Sequence, residues 1–243
     1  MISAIRTIAT MLVLGVLTIV FAAILILAAL VGMPNRRGSI YDILPRAWAR
    51  AILWTGGVRV RVHGLEKLDA DGTYIFICNH VSLFDILALV ARLPRNNFVA
   101  KAELFKIPVF GSGIRVLGTV PIERENQKAA FGAYDIAAAR IREGSSVVVF
   151  PEGTRGTEYP LRRFKKGPFV LAIKAGAPIV PVIVYGTIEI LPKGRLFMNP
   201  GDVDIYLLDP IPTAGMDYAQ RDELAGTVHD KMESVVNSLY LNR

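Results

Sequence analysis

The chain has 243 residues, enough for one sizeable domain with an accessory segment. Its residues are 52% hydrophobic and its mean hydropathy is +0.41, which is high for a soluble protein. The single cysteine, Cys78, excludes an internal disulfide framework and agrees with a reducing compartment.

The formal net charge of +7 is unevenly distributed. Residues 92–174 contain 15 Lys and Arg against 7 Asp and Glu, whereas residues 201–243 contain 3 against 8. A basic middle indicates an anionic lipid, a phosphorylated substrate or an acidic carrier as partner, although a solvated basic face gives the same pattern. Nucleic acid is not expected, because no recognition motif accompanies the charge.

The N-terminal segment is a long apolar run. No charged residue lies between Arg6 and Arg36, and residues 8–33 are almost wholly aliphatic. About 20 such residues suffice to span a membrane, and the run is longer than the apolar part of a signal peptide. The sequence therefore predicts a retained membrane anchor rather than a cleaved signal or a buried core helix, with its helix ending at Pro34.

A second helix is predicted over Ile40–Thr55, where apolar residues recur at helical spacing. Trp48 within it suits a helix that lies at a membrane interface. Gly56 and Gly57 then mark a boundary, which divides the chain into anchoring helices over residues 1–57 and a main domain over residues 58–243.

Flanking charge predicts the orientation of the anchor. Four arginines follow the apolar run, and one precedes it. The positive-inside rule therefore places the main domain on the cytoplasmic face of the cell (inner) membrane. The four arginines are Arg36, Arg37, Arg46 and Arg50.

Strand and helix patterns alternate through the main domain. The predicted strands are 58–63, 74–78, 98–100, 120–122, 146–150, 178–185 and 203–207. The predicted helices are 85–93, 127–142, 169–175 and 218–241. This order indicates an α/β fold with a mixed, largely parallel sheet flanked by helices.

A histidine and an aspartate follow the second predicted strand, at the point where it turns into a helix. His80 and Asp85 are five residues apart, so they meet only if His80 lies in the turn and Asp85 in the first helical turn. Such a pair forms a general base, in which the carboxylate orients the imidazole. A structural role is the alternative, since Ser82 and Asp85 also fit a capping box and His80 alone fits a buried histidine.

A second polar loop follows the strand at 146–150 and places Glu152, Thr154 and Arg155 between Pro151 and Gly153. Arg155 can bind a phosphate in this loop, or it can pair with Glu152 to hold the loop in shape. The residues alone leave both readings open.

Together these blocks resemble the glycerolipid acyltransferase superfamily, in its lysophosphatidic acid acyltransferase (PlsC) branch. The resemblance covers about residues 75–185 and rests on four ordered blocks. These are Asn79-His80-x4-Asp85 with Lys101 to Gly111 behind it, Gly118-x-x-Pro121-Ile122-x-Arg124, Phe150-Pro151-Glu152-Gly153-Thr154-Arg155, and Val180-Pro181-Val182. One position departs from the pattern, because Pro121 stands where the family often has an aromatic residue.

The resemblance implies roles for individual residues. His80 is the implied general base and Asp85 the residue that orients it. Pro181, in the last block, is implied to shape the acyl-donor site. The residues implied to bind the glycerophosphate substrate are Lys101, Arg124, Glu152, Gly153, Thr154 and Arg155.

The function that this resemblance implies is transfer of a fatty acyl group from acyl-CoA or acyl carrier protein to the sn-2 hydroxyl of 1-acylglycerol 3-phosphate (lysophosphatidic acid). The product is phosphatidic acid, made beside membrane phospholipids. We expect no cofactor and no metal, because His63, His80, His229 and Cys78 show no ligand spacing. The alternatives are acylation of another lysolipid such as lyso-ornithine lipid or lysophosphatidylglycerol, a non-catalytic lipid-binding protein, and a metal-dependent hydrolase.

Overall fold

The structure is a computed structural model that describes residues 2–123 and 127–241. For residues 127–131 and 240–241 it describes the backbone alone. Eight α-helices are described: α1 (Ile2–Leu30), α2 (Ile40–Thr55), α3 (Phe84–Arg92), α4 (Phe110–Leu117), α5 (Gln127–Arg142), α6 (Gly167–Ala175), α7 (Thr187–Ile190) and α8 (Arg221–Leu241). Short 3₁₀ helices lie at Leu65–Lys67, Ala102–Lys106 and Tyr218–Gln220.

Seven strands form one sheet in the order β1-β7-β6-β2-β5-β3-β4. They are β1 (Val58–His63), β2 (Ile75–Cys78), β3 (Asn96–Lys101), β4 (Val120–Ile122), β5 (Ser146–Val149), β6 (Ile179–Tyr185) and β7 (Gly201–Leu207). Neighbours run parallel except β6 and β7, which are antiparallel. The predicted mixed, largely parallel sheet is confirmed, while α4 and α7 had no prediction.

The sheet separates two apolar layers. On one face, Phe76 and Val148 pack with α2 and α3. On the other face, Ile77 and Val149 pack with α5, α6 and α8. The central strands β2 and β5 are buried at every position, which is why almost all of their residues are apolar.

Helix α1 lies along the domain. Thr7, Ala22 and Leu25 belong to a narrow stripe that is buried, while Ile5 and Leu12 on the other faces are more than half exposed. Among the described helices, α1 alone is long and apolar enough to cross a membrane, by length and composition. The second predicted anchoring helix is present as α2, but it is amphipathic and has 16 residues.

Helix α1 forms hydrogen bonds with other parts of the chain near its start and in its middle. The hydroxyl of Ser3 donates to the carbonyl of Met198 at 2.6 Å, and the indole N–H of Trp48 donates to Thr18 Oγ1 at 3.0 Å. Helix α2 also contributes Ile52 to the same core as the strands. The division of the chain at residue 57 stays a prediction.

Candidate active site

His80 and Asp85 lie at the carboxyl edge of the sheet, just after β2. His80 Nδ1 is 2.8 Å from Asp85 Oδ2, and the two side chains are 10% and 0% exposed. Because an ionised carboxylate only accepts hydrogen bonds, Nδ1 carries the proton and Nε2 is left as the basic nitrogen. No described residue forms a hydrogen bond with Nε2.

The turn between β2 and α3 holds Asp85 from several sides. Oδ2 also accepts hydrogen bonds from the backbone N–H groups of Val81 and Ser82, each at 2.8 Å, and Oδ1 accepts one from the hydroxyl of Thr187. Asp85 therefore caps the turn and orients His80 at once. The contacts expected for each of the two alternatives that the sequence left open are both present.

Asn79 fixes the same turn to the neighbouring strand β6. Its side-chain amide donates to the carbonyl of Val184 at 3.0 Å, and its oxygen accepts from the N–H of Val184 at 2.7 Å. Asn79 is fully buried, so these two bonds satisfy an amide that would otherwise be costly to bury.

Glu152 reaches the site from the adjacent strand β5. Ile77 pairs with Val149 in parallel register, so His80 and Glu152 stand level, three residues beyond that pair. The N–H of His80 donates to Glu152 Oε1 at 3.1 Å, and the ring of Phe150 stacks on the imidazole with centroids 4.0 Å apart. Glu152 thus holds the backbone of the histidine rather than standing free for a ligand.

The ion-pair partner of Glu152 is Arg162, so the alternative in which Arg155 pairs with Glu152 is not the arrangement observed. Arg162 Nε lies 2.9 Å from Glu152 Oε2, and its guanidinium also donates to the carbonyl of Thr154. The carbonyl of Arg155 accepts from Lys193 Nζ at 3.2 Å, whereas its guanidinium forms no ion pair with a described residue. The loop is therefore held without an ion pair from the Arg155 guanidinium.

Gly153 turns the loop after β5 with a φ of 77°, where any side chain is strained. A Cβ at this position would lie 2.7 Å from Lys165 Cε. The requirement for glycine here is therefore conformational, because the end of the lysine side chain can move away from a Cβ.

The other predicted site residues that the structure describes lie in different elements. Lys101 ends β3, beside β5, and its Nζ lies 3.1 Å from Glu103 at the surface. Thr154 is exposed in the Glu152 loop. Pro181 is buried inside β6 opposite Ile77, and Arg124 lies outside the described residues.

The single cysteine, Cys78, lies two residues before His80 in the sequence but is not placed to act as a nucleophile. Cys78 is fully buried in the core, and this burial, together with the charge of Asp85, raises the pKa of its thiol well above its usual value. A thiol of this kind is a poor nucleophile.

Sequence reasoning missed Thr187 and Arg162. Thr187 follows β6, whose carboxyl end adjoins that of β2, so the strand order was the signal that could have found it. Arg162 lies ten residues beyond Glu152 in an irregular loop, and the sequence offers no local pattern for their pairing.

Comparisons with known proteins point to one family. The family model described as "Acyltransferase" matches residues 59–185. A 1-acyl-sn-glycerol-3-phosphate acyltransferase of Haemophilus influenzae is 35% identical over 167 residues, which are 68% of this chain and 69% of that protein. The chloroplastic 1-acyl-sn-glycerol-3-phosphate acyltransferase BAT2 of Brassica napus is 32% identical over 200 residues, 79% of this chain and 58% of that protein.

Among solved structures, the crystal structure of the 1-acyl-sn-glycerophosphate (LPA) acyltransferase PlsC from Thermotoga maritima superposes with a TM-score of 0.81. The two chains are 25% identical in sequence, and the superposition covers 98% of this chain and 97% of the Thermotoga maritima chain. The chain spans 64%, 58%, 50% and 57% of the length of four curated relatives that it matches. The extent of these matches shows that this chain belongs to the acyltransferase family, alongside the 1-acyl-sn-glycerol-3-phosphate acyltransferases.

Proposed function

We propose that the chain transfers a fatty acyl group from a thioester to the sn-2 hydroxyl of 1-acylglycerol 3-phosphate, giving phosphatidic acid. The observation that carries this proposal is the buried pair of His80 and Asp85, 2.8 Å apart, with Nε2 left as the basic nitrogen. A general base of this kind suits a reaction in which the hydroxyl of the substrate is itself the nucleophile.

The reaction follows from the protonation states of the pair. His80 Nε2 takes the proton from the sn-2 hydroxyl as its oxygen attacks the thioester carbonyl, and Asp85 stabilises the resulting imidazolium. The tetrahedral intermediate then collapses, the C–S bond breaks, and the imidazolium returns the proton to the departing thiolate. An ester and a free thiol are formed, and the histidine is restored.

Direct transfer is favoured over a covalent acyl-enzyme on cysteine. The only thiol in the chain is that of Cys78, which is buried with a raised pKa. The proposed steps need neither a cofactor nor a metal ion, because His80 performs both proton transfers. We therefore expect full activity in the presence of a chelator.

For the phosphate of the acceptor, we propose Arg155, Lys101 and Arg124 as ligands. Arg155 is half-buried and its guanidinium has no described acidic partner, so it is available for a bidentate contact. Lys101 stands at the end of β3, beside the strand that carries the Glu152 loop. Glu152 and Gly153 contribute by holding the loop, and Thr154 exposes its side chain in it.

For localisation, we propose that α1 anchors the protein at the membrane by its exposed apolar side. Ile5, Ile8 and Leu12 are each about 60% exposed or more, whereas Thr7 and Leu25 on the opposite stripe are buried. Since this stripe extends along the helix, a fully spanning α1 would have to pull away from the domain. We therefore propose that it enters one leaflet, with the domain on the cytoplasmic face.

The test is formation of phosphatidic acid by purified, detergent-solubilised protein. We expect product from acyl-CoA and 1-acylglycerol 3-phosphate with wild type and none with His80→Ala, while Lys231→Gln on α8 serves as a matched surface control. Equal activity toward a 1-acylglycerol without phosphate would contradict the proposal that the enzyme binds the phosphate of its acceptor. A preference for lyso-ornithine lipid or lysophosphatidylglycerol would change the acceptor in the proposal but leave the proposed acyl transfer unchanged. Lipid binding without any transfer would contradict the proposal.

A further inference from the structure

The loop after β5 contacts the turn of the proposed general base through its backbone. In addition to the bond between Glu152 and the N–H of His80, the N–H of Gly156 donates to the carbonyl of His80 at 2.7 Å. The loop therefore holds both backbone polar groups of the histidine. Three residues further along, it carries a buried side chain that has no part in the steps proposed above, that of Tyr159.

Tyr159 reaches the turn between β6 and α7. Its hydroxyl accepts a hydrogen bond from the N–H of Gly186 at 2.7 Å and donates one to Glu189 Oε2 at 2.7 Å. Gly186 is the residue before α7, and Glu189 is the third residue of that helix. The Tyr159 hydroxyl thus joins the start of the helix to a side chain within it.

The surroundings of the Tyr159 hydroxyl keep it protonated. Burial, and then the hydrogen bond to Glu189, raise the pKa of Tyr159 well above its usual value. The ring stacks on that of Tyr185, with centroids 4.5 Å apart. Because the ring is held and the proton is retained, the hydroxyl can donate to Glu189 and accept from Gly186 at the same time.

Thr187 lies between the two groups that Tyr159 holds. The hydroxyl of Thr187, which is fully buried, donates to Asp85 Oδ1, and Asp85 Oδ2 lies 2.8 Å from His80 Nδ1. Helix α7 has only four residues, and a single helical turn has little stability of its own. The direction of the Thr187 hydroxyl therefore depends on contacts from outside the helix.

The backbone at Gly186 has little freedom to move elsewhere. Its φ is 96°, and a Cβ there would lie 2.1 Å from the carbonyl oxygen of Asp202. Loss of the Tyr159 hydroxyl would take away the acceptor of the buried Gly186 N–H, and an unpaired buried N–H is costly. The turn is then expected to shift toward another acceptor, and Thr187 with it.

We propose that Tyr159 is a positioning residue for the general base. It holds the N–H of Gly186 and thereby fixes the direction from which Thr187 donates to Asp85. Asp85 in turn holds the imidazole in the orientation that proton transfer requires. The inference rests on the proposed acyl transfer, in which Tyr159 itself exchanges no proton.

The test compares Tyr159→Phe with a matched control, Tyr185→Phe. Tyr185 adjoins Gly186 in sequence, but its hydroxyl donates to the carbonyl of Leu239 in α8. We expect Tyr159→Phe to lower kcat roughly fivefold, as for loss of one hydrogen bond, with an unchanged KM for 1-acylglycerol 3-phosphate. Tyr185→Phe should keep the wild-type kcat. A wild-type kcat in folded Tyr159→Phe, or an equal loss in the control, would overturn the inference.

Double variants test the route through Thr187. Because Tyr159 acts through the Thr187 hydroxyl, Tyr159→Phe should lower kcat no further in a Thr187→Val background. Glu189→Ala, at an exposed position, removes the acceptor of the Tyr159 hydroxyl and should lower kcat about twofold, again only when Thr187 is present. This substitution decides the question if Tyr159→Phe does not fold. Losses that multiply in the double variants would overturn the inference.

A measurement without substrate separates this inference from the proposed function. Because the Nδ1 proton of His80 lies in a charge-assisted hydrogen bond with Asp85, it should give a low-field proton NMR signal that His80→Ala lacks. The chemical shift of this signal should change in Tyr159→Phe and in Thr187→Val, and stay the same in Tyr185→Phe. An unchanged shift in Tyr159→Phe would overturn the inference. Absence of acyl transfer by the wild type would instead overturn the proposed function, and the NMR signal would still decide whether Tyr159 positions the pair.

Discussion

The two loops that follow the neighbouring strands β2 and β5 are built in different ways. In the first, Asp85 is fully buried and its carboxylate accepts hydrogen bonds from His80, Val81, Ser82 and Thr187. In the second, charged side chains such as Arg162, Arg163 and Lys165 lie at the surface. Only Glu152 of the charged residues in that loop is buried, and it is tied back to the first loop.

Under the proposed function, this difference separates catalysis from substrate binding. The first loop suits a general base, which must be held in one tautomer and one orientation, because both oxygens of its buried carboxylate accept hydrogen bonds. The second loop suits binding of a phosphorylated substrate, because solvent and ligands can reach its cations. Substitutions in the first loop should therefore reduce kcat, whereas those in the second should mainly change KM or loop stability.

The largest effect is expected from His80→Ala. We predict that kcat falls on the order of 10³-fold, because the hydroxyl loses its proton acceptor. Steady-state kinetics with saturating acceptor measures this loss, and circular dichroism checks the fold. If the variant kept more than a tenth of wild-type kcat while folded, the first loop would not provide the base.

Asp85→Asn should reduce kcat on the order of 10²-fold. In the wild type, the Asp85 carboxylate accepts hydrogen bonds from several donors. The N–H₂ group of asparagine cannot accept a hydrogen bond, so one buried donor loses its partner and His80 can adopt the wrong tautomer. Thermal unfolding should show a lower Tm than for His80→Ala. Wild-type kcat would contradict the assignment of Asp85 as the orienting residue.

Thr187→Val keeps the shape of the side chain but removes its hydroxyl. It should lower kcat about tenfold, because Asp85 loses a hydrogen bond and orients His80 less well. The KM for 1-acylglycerol 3-phosphate should keep its wild-type value, because Thr187 acts through Asp85. Thr187→Ser, which restores the hydroxyl, is the matched control and should restore kcat. A lower Tm with wild-type kcat would show that Thr187 is merely structural.

The smallest effect is expected from Glu152→Gln in the second loop. Loss of the charged contact with Arg162, which is 43% exposed, should cost about 1 kcal/mol of unfolding free energy. Arg162→Gln should cost a similar amount, and the double variant little more than either, when measured by denaturant unfolding. Additive losses would show that the two residues act independently.

Much of the fold could be predicted from the sequence, because buried parallel strands and amphipathic helices leave strong local patterns. The turn at His80 was predictable for the same reason, since the two partners are five residues apart and both follow the end of β2 closely. Thr187 and Arg162 were not, because their contacts depend on strand order and on a loop path that local sequence does not encode.

The measurement that tests direct acyl transfer by His80 most directly is rapid mixing of the enzyme with acyl-CoA, with and without 1-acylglycerol 3-phosphate. Wild type and Cys78→Ala should both release thiol only when the acceptor is present, and His80→Ala should release none. A burst of about one thiol per enzyme without acceptor, absent in Cys78→Ala, would show a covalent acyl-enzyme and contradict the account.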